Sequence, residues 1–179
     1  MLTRHEESAG LVCAPVERVF AHVDDHARLS SHMSQSSWTM GGGRMGIALD
    51  AGRGQRVGSV IRLGGTVFGV RLFVEEVVTE REQPYRKAWE TVGEPRLLVI
   101  GAYRMGFELT PETGGGSQLR VFIDYAFPEQ GLARWLGRLF GRYYARWCTR
   151  RMVADAVRHF ASVGPAGAPD LPAARMARG

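Results

Sequence analysis

Hydrophobic and polar residues alternate along two long segments in the second half of the chain. In segment 97–110 the odd positions are mostly apolar or aromatic, while polar residues such as Glu108 fall on even positions. In segment 117–127 every second residue from 119 onward is apolar or aromatic, opposite polar residues such as Asp124. A period of two with one apolar face is typical of antiparallel strands that cover a core on one side.

Shorter apolar stretches predict further strands, separated by turns that contain glycine or proline. Gly64 and Gly65 stand between two of these stretches and predict the turn of a β-hairpin. Gly93 and Pro95 predict a turn before segment 97–110. Short turns between consecutive strands favour an antiparallel meander over a fold that alternates strands and helices. The additional strands are predicted over 5–13, 36–40, 45–50, 57–63, 67–80 and 85–92.

Helical periodicity is found in two parts of the chain. Pro15 stands at a first helical position, and the four apolar residues that follow recur at i, i+3, i+4 and i+7. Asp24 and Asp25 interrupt this pattern and can cap a second short helix that continues through Met33. From 131 to 163 the period is again helical, and a helix of about 30 residues is roughly 45 Å long, enough to cross a sheet.

Length and composition indicate one globular domain. The 179 residues fit a single domain, predicted over 1–163 and followed by a disordered tail over 164–179. Hydrophobic residues make up 45% and charged residues 23%, which argues against intrinsic disorder. No apolar run approaches the ~20 residues of a membrane span, and the polar N-terminus has no signal-peptide pattern. Cys13 and Cys148 have no disulfide-framework or metal-ligand spacing, which predicts a reducing, cytoplasmic location.

The formal net charge of +5 is concentrated in the predicted C-terminal helix. Residues 131–160 contain seven arginines and one acidic residue, Asp155, which gives this segment a net charge of +6. The rest of the chain therefore sums to −1, so any attraction to an anionic partner would come from this helix.

Four segments in a fixed order resemble one known superfamily. They are Ala-Pro-Val-Glu-Arg-Val-Phe at 14–20, Asp-Asp-His-Ala-Arg-Leu at 24–29, the strand from Val77 to the proline turn at Pro84, and the long helix after Phe127-Pro128. This order resembles the START-like (SRPBCC) superfamily, which includes the birch-pollen allergen and polyketide cyclase/dehydrase-like proteins, and the resemblance covers about residues 8–162. It implies an α+β helix-grip fold, in which a curved antiparallel sheet of about seven strands surrounds the long C-terminal helix and two short helices follow the first strand.

The resemblance also implies a largely apolar cavity between the sheet, the two short helices and the long helix. Members of the superfamily bind lipids, hormones, polyketides or quinones, and some catalyse cyclisation or dehydration. The superfamily has no universal catalytic motif, so the resemblance assigns no catalytic residue and no cofactor.

Side chains on the inward strand faces and on an apolar stripe of the long helix are predicted to line this cavity. A concave apolar wall with a few hydroxyl groups is typical of a small-molecule pocket. The alternative is a solid core, in which the same aromatic side chains pack against one another. The predicted lining residues are Trp38, Met40, Trp89, Tyr103, Met105, Phe107, Tyr125, Leu139, Tyr143, Trp147 and Arg150.

Arg146 and Arg150 are predicted to rotate onto the apolar stripe of the helix. Arginines recur every four residues along it, and each step turns about 40° around the helix axis. A buried guanidinium needs a carboxylate or a ligand anion, so Arg150 could hold a ligand carboxylate or phenolate with a forked contact. The alternatives are an internal pair with Glu75, Glu76 or Glu108, or a surface position that reaches solvent.

Few groups on the predicted inward faces suit catalysis. Two of the three tyrosines in the predicted lining could stabilise an enolate together with Arg150, although a tyrosine in a pocket more often only donates a hydrogen bond. His22 and His26 have the i, i+4 spacing of paired metal ligands on a helix. The aspartates between them indicate a helix boundary, so no metal site is predicted.

The sequence predicts a protein that binds an apolar or amphiphilic small molecule, such as a lipid, polyketide, quinone or other aromatic compound. Whether it also has cyclase- or dehydratase-like activity is left open. The alternative is a non-enzymatic interaction module that uses the basic, aromatic run 135–151 on anionic lipid, nucleic acid or a protein partner. Against it, the apolar residues of this helix are expected to cover the sheet, and no nucleic-acid partner is expected.

Overall fold

The computed structural model describes residues 2–29, 44–67, 69–129 and 131–163. The predicted strand 36–40, the end of the predicted second helix and the predicted tail lie outside these residues. The helices and strands are β1 (Arg4–Val12), α1 (Val16–Val23), α2 (His26–Leu29), β2 (Arg44–Leu49), β3 (Val60–Val67), β4 (Val70–Glu82), β5 (Arg86–Arg96), β6 (Tyr103–Pro111), β7 (Ser117–Tyr125) and α3 (Gly131–Val163).

Within the described residues, seven strands form one antiparallel sheet in the order β1-β7-β6-β5-β4-β3-β2. The first strand therefore pairs with the last, and α3 packs against these two strands. α1 and α2 follow β1 directly. This arrangement confirms the predicted α+β helix-grip fold.

The alternation in β6 and β7 gives the sheet one buried face and one charged face. On the buried face, the ring of Phe107 contacts that of Phe20 in α1, with centroids 5.6 Å apart. On the opposite face, Arg120 binds Glu7 at 2.6 Å and Glu108 at 2.5 Å. The predicted division into a core face and a solvent face is therefore correct.

Two predicted turns lie inside strands. Gly64 and Gly65 belong to β3 and pair with β4, while the hairpin turn comes later, where Gly69 has a φ of +77° that a non-glycine residue rarely adopts. β5 likewise continues through Gly93 and Pro95. The register of β4 against β5 shifts between Val92 and Arg96. The residues between these two therefore form an irregularity within the ladder and do not end it.

Residues 97–102, predicted as the start of a strand, instead precede β6 and form a surface on which the N-terminal half of α3 packs. A Cβ atom added at Gly137 would lie 3.0 Å from the carbonyl oxygen of Val99, and one added at Gly141 would lie 2.7 Å from it. Real Cβ contacts are rarely as short as 3.0 Å and essentially never as short as 2.7 Å, so glycine permits this close approach of helix and backbone.

A buried ion pair joins the connection between α1 and α2 to β5. Lys87, the only lysine of the chain, is fully buried, and its Nζ donates to Asp24 Oδ1 at 3.0 Å and to the Asp24 carbonyl oxygen at 2.8 Å. Arg81 of β4 binds the same carboxylate at 2.8 Å. Burial lowers the pKa of Lys87, and the nearby Asp24 charge opposes this shift. The pair fixes the chain directly before α2, whose first residue is His26.

Candidate functional site

A small pocket lies between the buried face of the sheet and α3. Its volume is about 50 Å³, which is enough for a water-sized group. Its wall is mainly apolar but contains a carboxyl group, an imidazole, an indole, two phenols and a thiol. The lining residues are His26, Leu63, Glu76, Trp89, Ile100, Tyr103, Met105, Ile123, Tyr144, Cys148 and Met152.

The carboxyl group in this wall belongs to Glu76. The period of β4 places Glu76 in phase with the buried Val74 and Val78, and its exposed fraction is 2%. The Tyr103 hydroxyl, from β6, donates a hydrogen bond to Glu76 Oε1. From α2, His26 brings its Nε2 to 3.3 Å from Glu76 Oε2. Three elements that are distant in sequence therefore place an acid, a phenol and an imidazole together.

Three polar atoms of the pocket wall have no hydrogen-bond partner among the described residues: Glu76 Oε2, His26 Nδ1 and Trp89 Nε1. The 3.3 Å approach of His26 Nε2 to Glu76 Oε2 does not have hydrogen-bond geometry. The His26 ring packs edge-on against Trp89, with centroids 4.9 Å apart, so the three side chains form one cluster. Buried polar groups are usually paired, and an unpaired one costs about 1–3 kcal/mol. The cluster is therefore suited to a guest with hydrogen-bonding groups.

The low polarity of the pocket keeps its phenols and thiol protonated. Burial, and then the neighbouring Glu76, raise the pKa of Tyr103 well above its usual value. The nearby Cys148, together with burial, raises the pKa of Tyr144 in the same direction. Burial raises the pKa of Cys148 to about 12. These three groups can donate hydrogen bonds at neutral pH. Carboxyl and imidazole groups are the usual general acids and bases in proteins, and in this pocket Glu76 and His26 supply them.

Most of the chain matches one family of known proteins. Residues 6–162 match the family model described as polyketide cyclase / dehydrase and lipid transport. The chain belongs to this family. The family lies within the superfamily that the sequence resembles, so that prediction is confirmed. No curated protein matches the chain.

Solved structures similar to this family member have the same fold at low sequence identity. Zhui aromatase/cyclase from Streptomyces sp. R1128 is 15% identical with a TM-score of 0.67, and the match covers 92% of this chain and 98% of that one. TTHA0849 from Thermus thermophilus is 14% identical with a TM-score of 0.63, covering 90% and 99%. Ara h 8.0201 is 12% identical with a TM-score of 0.58, covering 89% and 98%. Identities this low show a common fold and do not show a common activity.

In this member of the polyketide cyclase/dehydrase family, some of the predicted lining residues meet at the pocket and others pack elsewhere. Phe107 and Tyr125 are buried on the same face of the sheet, but they pack against the rings of Phe20 and Phe127. For these two residues the solid-core alternative describes the observed packing. The predicted residues that line the pocket are Trp89, Tyr103 and Met105.

The structure corrects the predicted inward face of α3. Leu139 and Tyr143 are 70% and 74% exposed and do not line the pocket. The helix instead turns Ala145, Cys148 and Met152 inward. Gly137, Gly141 and Ala145 give small residues to the side that packs inward, whereas the larger Leu139 and Tyr143 lie on the other side.

Arg150 lies on the protein surface and not in the inner pocket. Its side chain is exposed, and no carboxylate of the described residues lies within 4.0 Å of it. Two of its predicted partners are engaged elsewhere, Glu76 with Tyr103 and Glu108 with Arg120. The prediction that Arg150 reaches a guest in an internal cavity is therefore not supported. An open depression of about 480 Å³ beside α3 is lined by Tyr143, Arg146, Trp147, Arg150, Arg151, Ala154 and Arg158.

The two histidines considered as metal ligands have different neighbours. His22 stacks on His159 of α3, with ring centroids 4.0 Å apart, whereas His26 contacts Glu76. In the described part of the chain, no group of three His, Cys, Asp or Glu side chains is placed to hold a metal ion. Trp38 and Met40 lie outside the described residues.

Neither Glu76 nor His26 is among the predicted lining residues, although the sequence contains a signal for Glu76. Leu72, Val74 and Val78 recur with a period of two, and Glu76 completes this series on the buried face. A carboxyl group in phase with buried apolar residues is uncommon and indicates either an internal ion pair or a functional site.

The two cysteines should differ strongly in reactivity. Cys13 is exposed, whereas Cys148 is buried and its pKa is raised to about 12. Because the thiolate is the reactive form, we expect iodoacetamide at pH 8 to alkylate Cys148 roughly 100-fold or more slowly than Cys13. Mass spectrometry should find one label on the native protein and two after denaturation in urea. Rapid labelling of a Cys13→Ser variant in its native state would contradict the buried position of Cys148.

Proposed function

We propose that the protein binds a small, mainly hydrophobic molecule between the sheet and α3, and that Glu76, Tyr103 and His26 recognise one polar group of that molecule. The observation that supports this most directly is the unpartnered Glu76 Oε2 in a mainly apolar pocket. Membership of a family described by polyketide cyclases, dehydrases and lipid transport supports the same class of ligand. A suitable guest would be apolar over most of its surface, with a hydroxyl or carbonyl group at one end.

A guest of more than a few atoms requires the pocket wall to move. Met105 and Met152 contribute to this wall from β6 and α3. Methionine side chains are unbranched and flexible, so they adapt to neighbouring groups of different shape. Rotation of these two side chains would enlarge the space without breaking backbone hydrogen bonds in the sheet or the helix.

We further propose that Glu76 transfers protons in a dehydration of the bound molecule. Its carboxylate would remove a proton from the carbon next to a carbonyl group, and the electron pair would form an enolate. As the carbonyl group re-forms, the enolate electron pair makes a double bond between this carbon and the next one, and the hydroxyl group on that next carbon leaves. It takes the proton from Glu76 and departs as water. Chemistry of this type is consistent with similarity to an aromatase/cyclase, and the proximity of Tyr103 and His26 to Glu76 supports it.

We also propose that the protein is cytoplasmic and that residues 1–163 form a single functional domain. Both cysteines are free thiols, which is the usual state in a reducing compartment. The family match over residues 6–162 supports one domain of this extent.

A pair of ligands that differ by one hydroxyl group tests the proposed recognition. We expect 1-naphthol to bind at least tenfold more tightly than naphthalene, because Glu76 can accept a hydrogen bond from the hydroxyl group and charged acceptors contribute about 1.5–3 kcal/mol. Titrations followed by tryptophan fluorescence would measure both dissociation constants. Met152→Ala, which enlarges the pocket, should increase the affinity for both compounds.

Val153→Ala is the matched control for Met152→Ala. Val153 is the next residue of α3 and is also buried, but it does not line the pocket. Its truncation should leave both dissociation constants within about twofold of the wild-type values. Equal affinities for the two compounds would disprove recognition by the polar cluster. Absence of binding to both the wild-type protein and Met152→Ala would disprove binding in this pocket.

A further inference from the structure

The outward face of α3 has a continuous row of exposed apolar side chains. Trp135 is 66% exposed, and the other members of the row are also more than half exposed. Isolated apolar residues on a surface are normal, but a contiguous patch indicates a binding surface. We call this set the outer stripe; it consists of Leu132, Trp135, Leu139, Phe140 and Tyr143.

The outer stripe is not used to pack α3 on the sheet. The helix contacts the backbone at Val99 through Gly137 and Gly141, and the fully buried Ala145 continues this row of small residues. At about 100° per residue, Tyr143 points roughly 160° away from Ala145. The expectation that these apolar residues cover the sheet is therefore wrong for the outer stripe, and it no longer argues against an interaction surface on this helix.

Arginines border the outer stripe along the helix. Arg134, Arg138, Arg142 and Arg146 follow at intervals of four residues, and all are exposed. Arg142 binds Glu6 at 2.8 Å, whereas the other three have no carboxylate within 4.0 Å among the described residues. With the net charge of +6 over residues 131–160, the exposed apolar side chains lie in a strongly positive environment.

We propose that the outer stripe and its bordering arginines bind the surface of an anionic lipid bilayer, with α3 parallel to the membrane plane. Apolar side chains of an interfacial helix enter the boundary between headgroups and acyl chains, while arginines contact lipid phosphates. Trp135 and Tyr143 suit this boundary because each combines an apolar ring with a polar atom. The stripe spans about 17 Å along the helix axis, which is three turns.

The described structure favours a helix that lies on the membrane. None of the described helices is both long and apolar enough to cross a bilayer. In α3 the arginines are exposed beside the stripe, as in helices that remain at the interface. This inference rests on the surface of α3 alone and does not depend on the function proposed for the inner pocket.

Charge and the need to cover apolar side chains argue against two other partners for the outer stripe. A second copy of the chain would place two α3 helices against one another, each with seven arginines and only one acidic residue over residues 131–160, so like charges would repel. A nucleic acid could bind the arginines through its phosphates, but it offers nothing that would cover Leu132 and Leu139. A bilayer with anionic headgroups complements both the apolar and the cationic parts.

Vesicle sedimentation tests this proposal with the full-length protein. We expect the protein to sediment with vesicles of phosphatidylcholine and phosphatidylglycerol at a ratio of 7:3, in about 0.1 M salt, and to bind at least tenfold more weakly to pure phosphatidylcholine. The double variant Leu139→Gln/Tyr143→Gln should weaken binding to the anionic vesicles at least tenfold. Arg138→Gln/Arg146→Gln should remove most of the preference for anionic lipid. All four positions are exposed, so the fold should be retained.

Substitutions of the same types outside α3 provide the controls. Val57 is 62% exposed and Arg56 is also exposed, both in the loop before β3. Val57→Gln and Arg56→Gln should leave vesicle binding within about twofold of the wild type. On binding, the emission of Trp135 should shift to shorter wavelength, and Trp135→Phe should remove this change.

Several results would overturn the proposal. One is sedimentation with anionic vesicles that the Leu139→Gln/Tyr143→Gln variant does not reduce. Another is binding to duplex DNA that is as tight as binding to vesicles, with neither interaction weakened in the Leu139→Gln/Tyr143→Gln variant. That result would mean that the protein binds polyanions in general. A third is a concentration-dependent dimer, seen by size-exclusion chromatography with light scattering, that the same variant abolishes. That result would identify the stripe as a contact between two copies.

Discussion

Replacement of Lys87 with methionine should lower the free energy of unfolding by about 3 kcal/mol. The Lys87 ammonium group is fully buried 3.0 Å from Asp24 Oδ1, and Asp24 is itself buried. Removing one member of a buried ion pair costs about 3–5 kcal/mol, because the remaining charge loses its partner in a medium of low polarity. Arg81 still binds Asp24, so we expect the lower end of this range. Urea unfolding at pH 7, followed by circular dichroism, would measure the loss.

The control for Lys87 is an ion pair on the outer face of the sheet. Arg62 is more than half exposed and lies 2.6 Å from Glu75. Its replacement by methionine should change stability by no more than about 0.5 kcal/mol, because exposed pairs contribute little. The double variant Asp24→Asn/Lys87→Met should be less destabilised than the sum of its single variants, because both members of the buried pair are then absent and only Arg81, whose side chain is 23% exposed, loses this carboxylate. Equal losses for Lys87→Met and Arg62→Met would contradict the buried pair.

The strands and the first helix could be predicted because their patterns are direct consequences of local geometry. The apolar series that ends at Val23 occupies one face of α1, and all four of its members are buried. Alternation in β6 and β7 identified the buried side of the sheet for the same reason. The burial of Lys87 could not be predicted in this way. It depends on Asp24 and Arg81, which other elements bring to β5.

The orientation of α3 could not be predicted from the size of its apolar residues. A helical period gives the relative positions of residues around the axis, but it does not say which side faces the sheet. The decisive residues are Gly137, Gly141 and Ala145, a row of small side chains at intervals of four that permits close contact. The spacing of the arginines did not predict the orientation of α3 either, because a side chain as long as that of Arg150 can reach solvent from many positions around the helix.

The buried Glu76 should make the protein less stable than it would be with a neutral side chain at this position. Glutamine has nearly the same shape, keeps an oxygen that accepts the Tyr103 hydrogen bond, and offers an amide donor toward His26. We expect Glu76→Gln to raise the free energy of unfolding by about 1–2 kcal/mol, because a poorly paired buried carboxyl group is replaced by a better paired amide. Urea unfolding of the variant and of the wild-type protein would measure the gain.

Groups that serve a function often lower the stability of a protein, so a substitution that raises stability can weaken function. Glu76→Gln should therefore also impair ligand recognition. Glu76→Gln should reduce the preference for 1-naphthol over naphthalene from at least tenfold to less than about threefold, because a neutral acceptor contributes less than a charged one. Glu75 provides the control, since it is the adjacent residue on the outer face, where it pairs with Arg62. Glu75→Gln should change stability by no more than about 0.5 kcal/mol and leave the ligand preference unchanged.

Tyr103→Phe provides a second test of the same site, with the opposite sign for stability. It removes the donor to Glu76 Oε1 while Oε2 already has no partner among the described residues. We therefore expect this variant to lose about 1–3 kcal/mol, the cost of leaving a buried polar atom unpaired. In the double variant Glu76→Gln/Tyr103→Phe the two changes should not add, because both act on one hydrogen bond. A stabilised Tyr103→Phe, or a Glu76→Gln variant that loses stability and keeps its ligand preference, would mean that Glu76 is a structural residue instead of a recognition group.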